Sequence, residues 1–147
     1  MNASNFSRLL RTDDSIAPLA LRVFVGVIFA AHGAQKLFGL FGGYGLSGTG
    51  QFFDSIGLHP GVLLAFLAGS AEFFGGLALV IGLLVRPAAV ALAFTMLVAI
   101  FSVHISKGFF LDKGGIEYAL ALFAAALSLA FSGGGRASFD RRIAGDN

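Results

Sequence analysis

Cysteine is absent from the 147 residues. That excludes disulfides, thiol redox chemistry and thiolate metal ligands supplied by this chain alone. Charge is scarce as well: 12% of the residues are charged, against about 25% in a soluble domain. The formal charge is only +2 and no basic run occurs, so nucleic acid is not an expected partner. No phosphate-cradling glycine loop and no serine-nucleophile motif is present. What fills the chain is apolar. Hydrophobic residues make up 56% of it, which places it in the membrane class. The 21 glycines are scattered through apolar runs and loops and read as packing and turn residues.

Four apolar runs stand out, over about 17–40, 61–85, 87–106 and 115–132. Each is close to the roughly 20 residues of a spanning helix. Pro18 and Pro60 open the first two, and Pro87 suits the first turn of the third after a tight hairpin at Arg86-Pro87. The expected fold is therefore all-α, an integral membrane four-helix bundle over residues 17–132, with tails at 1–16 and 133–147. A signal peptide is the alternative for the first run, because FAAHGA offers small residues; the run is too long and too like the other three to favour it.

Basic residues set the expected orientation. Arg8, Arg11, Arg22, Arg86, Arg136, Arg141 and Arg142 fall on the side of both tails, and Lys36, Lys107 and Lys113 on the other. This bias predicts cytoplasmic N and C termini in a bacterial-type inner membrane. The loop 41–60 would then face outward. Its GGYGLSGTG stretch reads as a loop, and QFFDSIGL as either a short interfacial helix or a plain surface segment.

Polar groups inside the runs are few, and each needs a reason. His32, Gln35, Lys36, Glu72, His104, Glu117 and Tyr118 all fall at the midplane or in the outer half. Glu72 shares a helix face with Ala65, Ala68, Gly69, Gly75 and Gly76, whereas Leu63, Leu67, Phe74, Leu77 and Ile81 lie opposite. Small residues mark helix contact in membranes, so Glu72 is expected inside the bundle. Glu117, with Ala121, Ala124 and Ser128, is expected to face inward by the same reasoning. Gly26, Gly69, Gly75 and Gly76 are the expected helix-packing glycines. His32 and Lys36 stand one turn apart on one face. An unpaired carboxylate at mid-bilayer is costly, and these two are its available partners. The expectation is a polar network of His32, Lys36, Glu72 and Glu117 open to the outer surface, rimmed by His104. The bland alternatives are a snorkelling Lys36, solvated caps at Glu117 and His104, and a structural Glu72. Arg22 and Arg86 are expected to meet lipid headgroups.

LRVFVGVIFAAHGAQKLFG, GLSGTGQFF, AGSAEFFGGLALVIGLLVRPAA and GGIEYALALFAAALSLAFSGGGRASFD, spanning roughly residues 19 to 142, resemble the DoxX family of small four-helix membrane proteins. The matching positions are His32, Gly33 and Lys36, then Glu72, Gly75 and Gly76, then Glu117, Gly135 and Asp140. The resemblance implies a subunit of, or accessory to, a membrane redox system. The family is named for a subunit associated with a thiosulfate:quinone oxidoreductase, other members belong to assemblies that counter oxidative stress, and distant relatives act as assembly factors.

Three functions are consistent with these residues. The first is an outward-facing intramembrane site for a quinone or similar amphipathic molecule. His32 and Lys36 would donate hydrogen bonds, Glu72 would exchange a proton, and Phe52 and Phe53 would form a lid. No intrinsic cofactor, metal or stand-alone catalytic motif is expected. A haem between His32 and His104 is disfavoured by their difference in depth. The second is a non-enzymatic scaffold or assembly factor whose polar network holds the bundle together. The third, transport, ranks last, because the polar groups occupy one half of the membrane. The expected partners are the lipid bilayer and a homo-oligomer or larger complex, including redox enzymes.

Overall fold

A computed structural model describes residues 10–144. Residues 1–9, with Arg8, and 145–147 lie outside the described residues, so those parts of the two tails have no structural account. The described residues are helical, with no strand among them. In chain order the helices are α1 (Ala17–Phe38), α2 (Gly45–Ser55), α3 (Gly61–Ile81), α4 (Val85–Ala99), α5 (Glu117–Ser132) and α6 (Phe139–Ala144).

α1, α3 and α4 with its extension to Lys107 are long and apolar enough to cross a membrane. α5 is apolar but has 16 residues, about 24 Å at 1.5 Å per residue. α1 packs most extensively on α3, and α4 on α5. The two pairs meet chiefly along α3 and α4, and only sparsely between α1 and α5. Phe29, Leu79, Leu92, Ala126 and Leu129 are among the buried side chains that join them. Phe24, Phe66, Phe74, Phe94 and Phe131 stay exposed on the outer faces, as suits contact with lipid.

Glycine explains the tight α1–α3 pair. A Cβ on Gly26 would come within 2.6 Å of the Gly76 carbonyl oxygen, and one on Gly69 within 2.9 Å of Leu37. A side chain on Gly33 would strike the Phe73 backbone. Gly75 is different: it looser contacts Leu92 of α4, at 3.2 Å. The divided faces of α3 follow the sequence pattern. Ala65, Gly69, Glu72 and Gly76 are buried, while Leu63, Leu67, Phe74, Leu77 and Ile81 are exposed.

The turn between α3 and α4 is Gly82–Leu84 rather than Arg86-Pro87, which lies in the first turn of α4. Three further expectations are corrected. The glycine-rich stretch from Gly45 is not a loop but the start of α2. Burial of Thr49 and Gly50 against α3 outweighs the poor helix propensity of glycine. Asp54 completes that junction: its Oδ1 accepts from the Gly61 N–H at 2.8 Å and contacts His59 Nδ1 at 2.8 Å. The Gly61 amide, then His59, holds the Asp54 carboxyl below its ordinary pKa.

Second, the face of α5 that carries Glu117, Ala121, Ala124 and Ser128 is exposed; Ala119, Leu122, Ala126 and Leu129 are the buried set. Small residues mark a face that can be approached closely, but among the described residues this face is left exposed.

Third, Arg22 and Arg86 do not reach out to headgroups. Arg22, 2% exposed, donates to the carbonyls of Gly134 (3.1 Å), Leu79 (3.0 Å), Val80 (2.7 Å) and Ala137. Arg86 donates to the carbonyls of Arg11 at 2.7 Å and Ala130 at 3.0 Å. The C-terminal segment folds back over this end. Asp140 accepts from the N–H groups of Leu84 at 2.6 Å and Val85 at 2.9 Å, capping α4 where its amides are otherwise unpaired. Burial dominates its titration and holds the Asp140 carboxyl above its ordinary pKa.

Candidate functional site

At the end of the bundle away from the tails, the α1–α3 and α4–α5 pairs separate. Between them lies a cleft of about 650 Å³. α1 contributes His32 and Lys36, α3 contributes Glu72, and α5 contributes Tyr118. α2 closes one side with Phe52 and Phe53, the two residues expected to form a lid. Most of the remaining lining is apolar, including Phe29, Leu67, Phe94 and Leu122. Leu67 and Phe94 are also exposed on the outer surface of α3 and α4, so the cleft reaches the face that lipid would cover.

Glu72 is the deepest polar group in this wall. It is 3% exposed, and its Oε2 lies 2.5 Å from Lys36 Nζ. The packing explains the meeting. Gly69 lets α1 approach α3 beside Lys36, so the lysine stem crosses to the carboxylate. Lys36 keeps 24% of its side chain exposed, which leaves the ion pair at the cleft surface rather than sealed in the core. Glu72 Oε1 has no protein hydrogen bond among the described residues and is not among the fully buried atoms; it is open to the cleft. His32 sits beside the pair with its ring centroid 6.1 Å from that of Tyr118.

His104 reaches the cleft by a departure from regular helix. α4 passes into a π-turn at Ile100–His104. Such turns are rare and insert a residue into the helical register. His104 and Ser102 line the cleft from this turn. His104 Nδ1 lies 2.7 Å from the Gly114 carbonyl.

Gln35 and Glu117 do not join the cleft. Gln35 Nε2 donates to the Phe41 carbonyl at 3.2 Å, beneath the turn that ends α1. Glu117 Oε2 accepts from the Leu111 N–H at 2.8 Å and holds the connection before α5. The structure thus brings together His32, Lys36, Glu72, His104 and Tyr118, and leaves out Gln35 and Glu117.

Thr95 and Ser102 also line the cleft, and neither is among the residues expected there. They lie seven residues apart within the third apolar run, a spacing that puts them on one helical face. That spacing was the available signal.

The arrangement offers an apolar slot with a carboxylate, an ammonium, two imidazoles and a phenol at its margin. It suits a small, flat or chain-like molecule with a few polar atoms.

The DoxX family model matches residues 17–105, from the start of α1 through the π-turn. The chain is 35% identical over 118 residues to a Bacillus subtilis (strain 168) protein named "Putative oxidoreductase CatD", covering 80% of each chain. It is 32% identical over 151 aligned positions to "Uncharacterized membrane protein Rv3486" of Mycobacterium tuberculosis, covering 96% of this chain and 90% of that one. No solved structure matches it. With the family model spanning more than half of the chain and both relatives above 30% identity over most of it, this membrane protein belongs to the DoxX family.

Proposed function

We propose that the protein is an inner-membrane component of a redox system whose cleft binds a quinone or similar small amphipathic molecule. One observation carries the reading: the Lys36–Glu72 pair lies on the wall of a largely apolar cleft, with Glu72 Oε1 open to it. A quinone ring needs such a slot and groups to bond its oxygens. Lys36 and His32 would donate, and Glu72 would take or give a proton. The exposed apolar rim at Leu67 and Phe94 supports entry from the bilayer. The oxidoreductase name of the Bacillus relative supports a redox setting, with electrons supplied by a partner protein. The arginines at the tail end support cytoplasmic termini, so the cleft would open toward the outside.

The test is extraction under mild conditions followed by mass spectrometry of co-purified small molecules. The wild-type protein should retain quinone-type molecules, and the Lys36→Met/Glu72→Gln double variant should lose them. Equal recovery from both would sink the reading.

A scaffold role is the second reading. It is favoured by the fact that the same ion pair ties α1 to α3.

A further inference from the structure

We infer that the cleft selects ligands that present hydroxyl or other hydrogen-bond donors to α4, and therefore takes the diol form of a quinone-type couple over the dione. This rests on the reading that the cleft binds such a molecule. The argument comes from where the polar hydrogens of one wall are already spent.

Three polar side chains of the α4 wall line the cleft: Thr95, Ser102 and His104. The Thr95 hydroxyl donates to the Leu92 carbonyl at 2.8 Å. The Ser102 hydroxyl donates to the Val98 carbonyl at 2.5 Å. A hydroxyl has one hydrogen to give, so each oxygen is left with lone pairs only. His104 Nδ1 faces the Gly114 carbonyl at 2.7 Å. A carbonyl oxygen cannot donate, so the ring nitrogen carries the hydrogen. In that tautomer the other ring nitrogen, Nε2, is an acceptor. Gly114 is not part of the cleft lining, whereas His104 is, so the Nδ1 bond points away and the opposite ring edge is the one turned toward the cleft.

The wall built by α4 and its π-turn therefore offers acceptors. The facing wall is mixed. Lys36 supplies donors, and Glu72 Oε1 is an acceptor. A flat molecule with polar atoms at both ends meets the two walls differently. At the Lys36–Glu72 end either a carbonyl or a hydroxyl finds a partner. At the α4 end a carbonyl sets lone pair against lone pair, and a hydroxyl makes a bond. A buried polar atom left unmatched weakens binding more than a matched one strengthens it, so the α4 wall acts mainly by rejecting the dione.

The test uses full-length protein in lipid nanodiscs and two probes that share a ring, menadione and menadiol, titrated calorimetrically without oxygen. Menadiol should bind at least about fivefold more tightly. For a two-electron couple, a fivefold preference for the reduced form raises the potential of the bound couple by about 20 mV. His104→Phe, and separately Thr95→Val with Ser102→Ala, should shrink the ratio toward one while menadione affinity holds or rises. The wild-type ratio decides the matter even where a variant fails to fold. Equal affinities, or tighter menadione, would overturn the inference and leave the binding site standing. If neither probe binds, both the inference and the proposed function fall.

Discussion

The two ends of the bundle handle buried charge in opposite ways. At the tail end, Arg22 is enclosed and donates to four carbonyls, drawn from α3 and from the segment after α5. At the cleft end, Glu72 is nearly as buried but has one protein partner among the described residues, Lys36, and one oxygen left open. Arg22 is a structural rivet, because four of its five guanidinium hydrogens are committed. Glu72 retains capacity to bond something else. Depth of burial alone does not separate the two; the bonds left over do.

The sharpest way to test this contrast is to remove the rivet. Arg22→Met keeps volume but strands several buried carbonyls, and should cost about 3–5 kcal/mol. It should appear as a large drop in thermal unfolding temperature, and Arg22→Lys should not restore it, because three hydrogens on a single nitrogen cannot reach four carbonyls spaced around a guanidinium. Retained stability would mean that water or lipid replaces those bonds.

Gly33→Ala comes next. Its new methyl meets the Phe73 backbone, so α1 and α3 must part. Overpacking of this kind costs about 1–3 kcal/mol. Unfolding temperature should fall, and the effect should exceed that of Gly75→Ala, where the neighbour is the flexible Leu92 side chain.

Glu72→Leu should cost less than Arg22→Met, about 1–2 kcal/mol, because the orphaned Lys36 can turn into the cleft. Glu72→Gln should be milder. Lys36→Met should partly rescue Glu72→Leu in a double-mutant cycle. No rescue would mean that the ion pair contributes nothing to stability, which favours a binding role over a scaffold one.

The smallest effect is with pH, and its sign differs between the ends. The Asp54 carboxyl is held below its ordinary pKa by the Gly61 amide and His59. Its contribution is present at and above the ordinary aspartate pKa and is lost as pH falls through the depressed value. The Asp140 carboxyl is held above its ordinary pKa by burial. Its folded state favours the proton, so its contribution is present in acid and is lost as pH rises through the raised value. Mild acid should therefore favour the folded tail-end segment by relieving the buried Asp140 charge, and stronger acid should loosen the α2–α3 junction. Hydrogen exchange at Val85 and Gly61, corrected for intrinsic rate, reads the two separately. Parallel changes at both would contradict the assignment.

Much of the fold was legible because lipid simplifies the code. The long apolar runs identified the helices, and the small and large faces of α3 were separated correctly. The same code misread α5, where alanines and Ser128 imitate a packing face that the bundle leaves exposed. It misread the glycine-rich start of α2, because glycine's low propensity speaks against a helix that tertiary contact supports, whereas a short helix at QFFDS was one of its two readings. The meeting of Lys36 and Glu72 was legible as an expectation, since a deep carboxylate needs a cation. The Asp140 cap was not, because its partners Leu84 and Val85 contribute backbone N–H groups, which no side-chain pattern records. The π-turn was equally hidden: one extra residue in a turn leaves no mark on hydropathy.

The riveted end has a mechanical consequence for the open one. α3 and α4 join through the short turn at Gly82–Leu84, which Arg22 and Asp140 grip from both sides. The two helix pairs are thus levers with a common fulcrum, like the arms of a clothes-peg. From Arg22 to Lys36 is 14 residues along α1, about 21 Å of arm. A tilt of about 5° at the fulcrum moves the jaw by about 2 Å over such an arm. That displacement is more than half the thickness of an aromatic ring, so the width of the cleft is sensitive to small changes in how the helix pairs meet at the riveted turn.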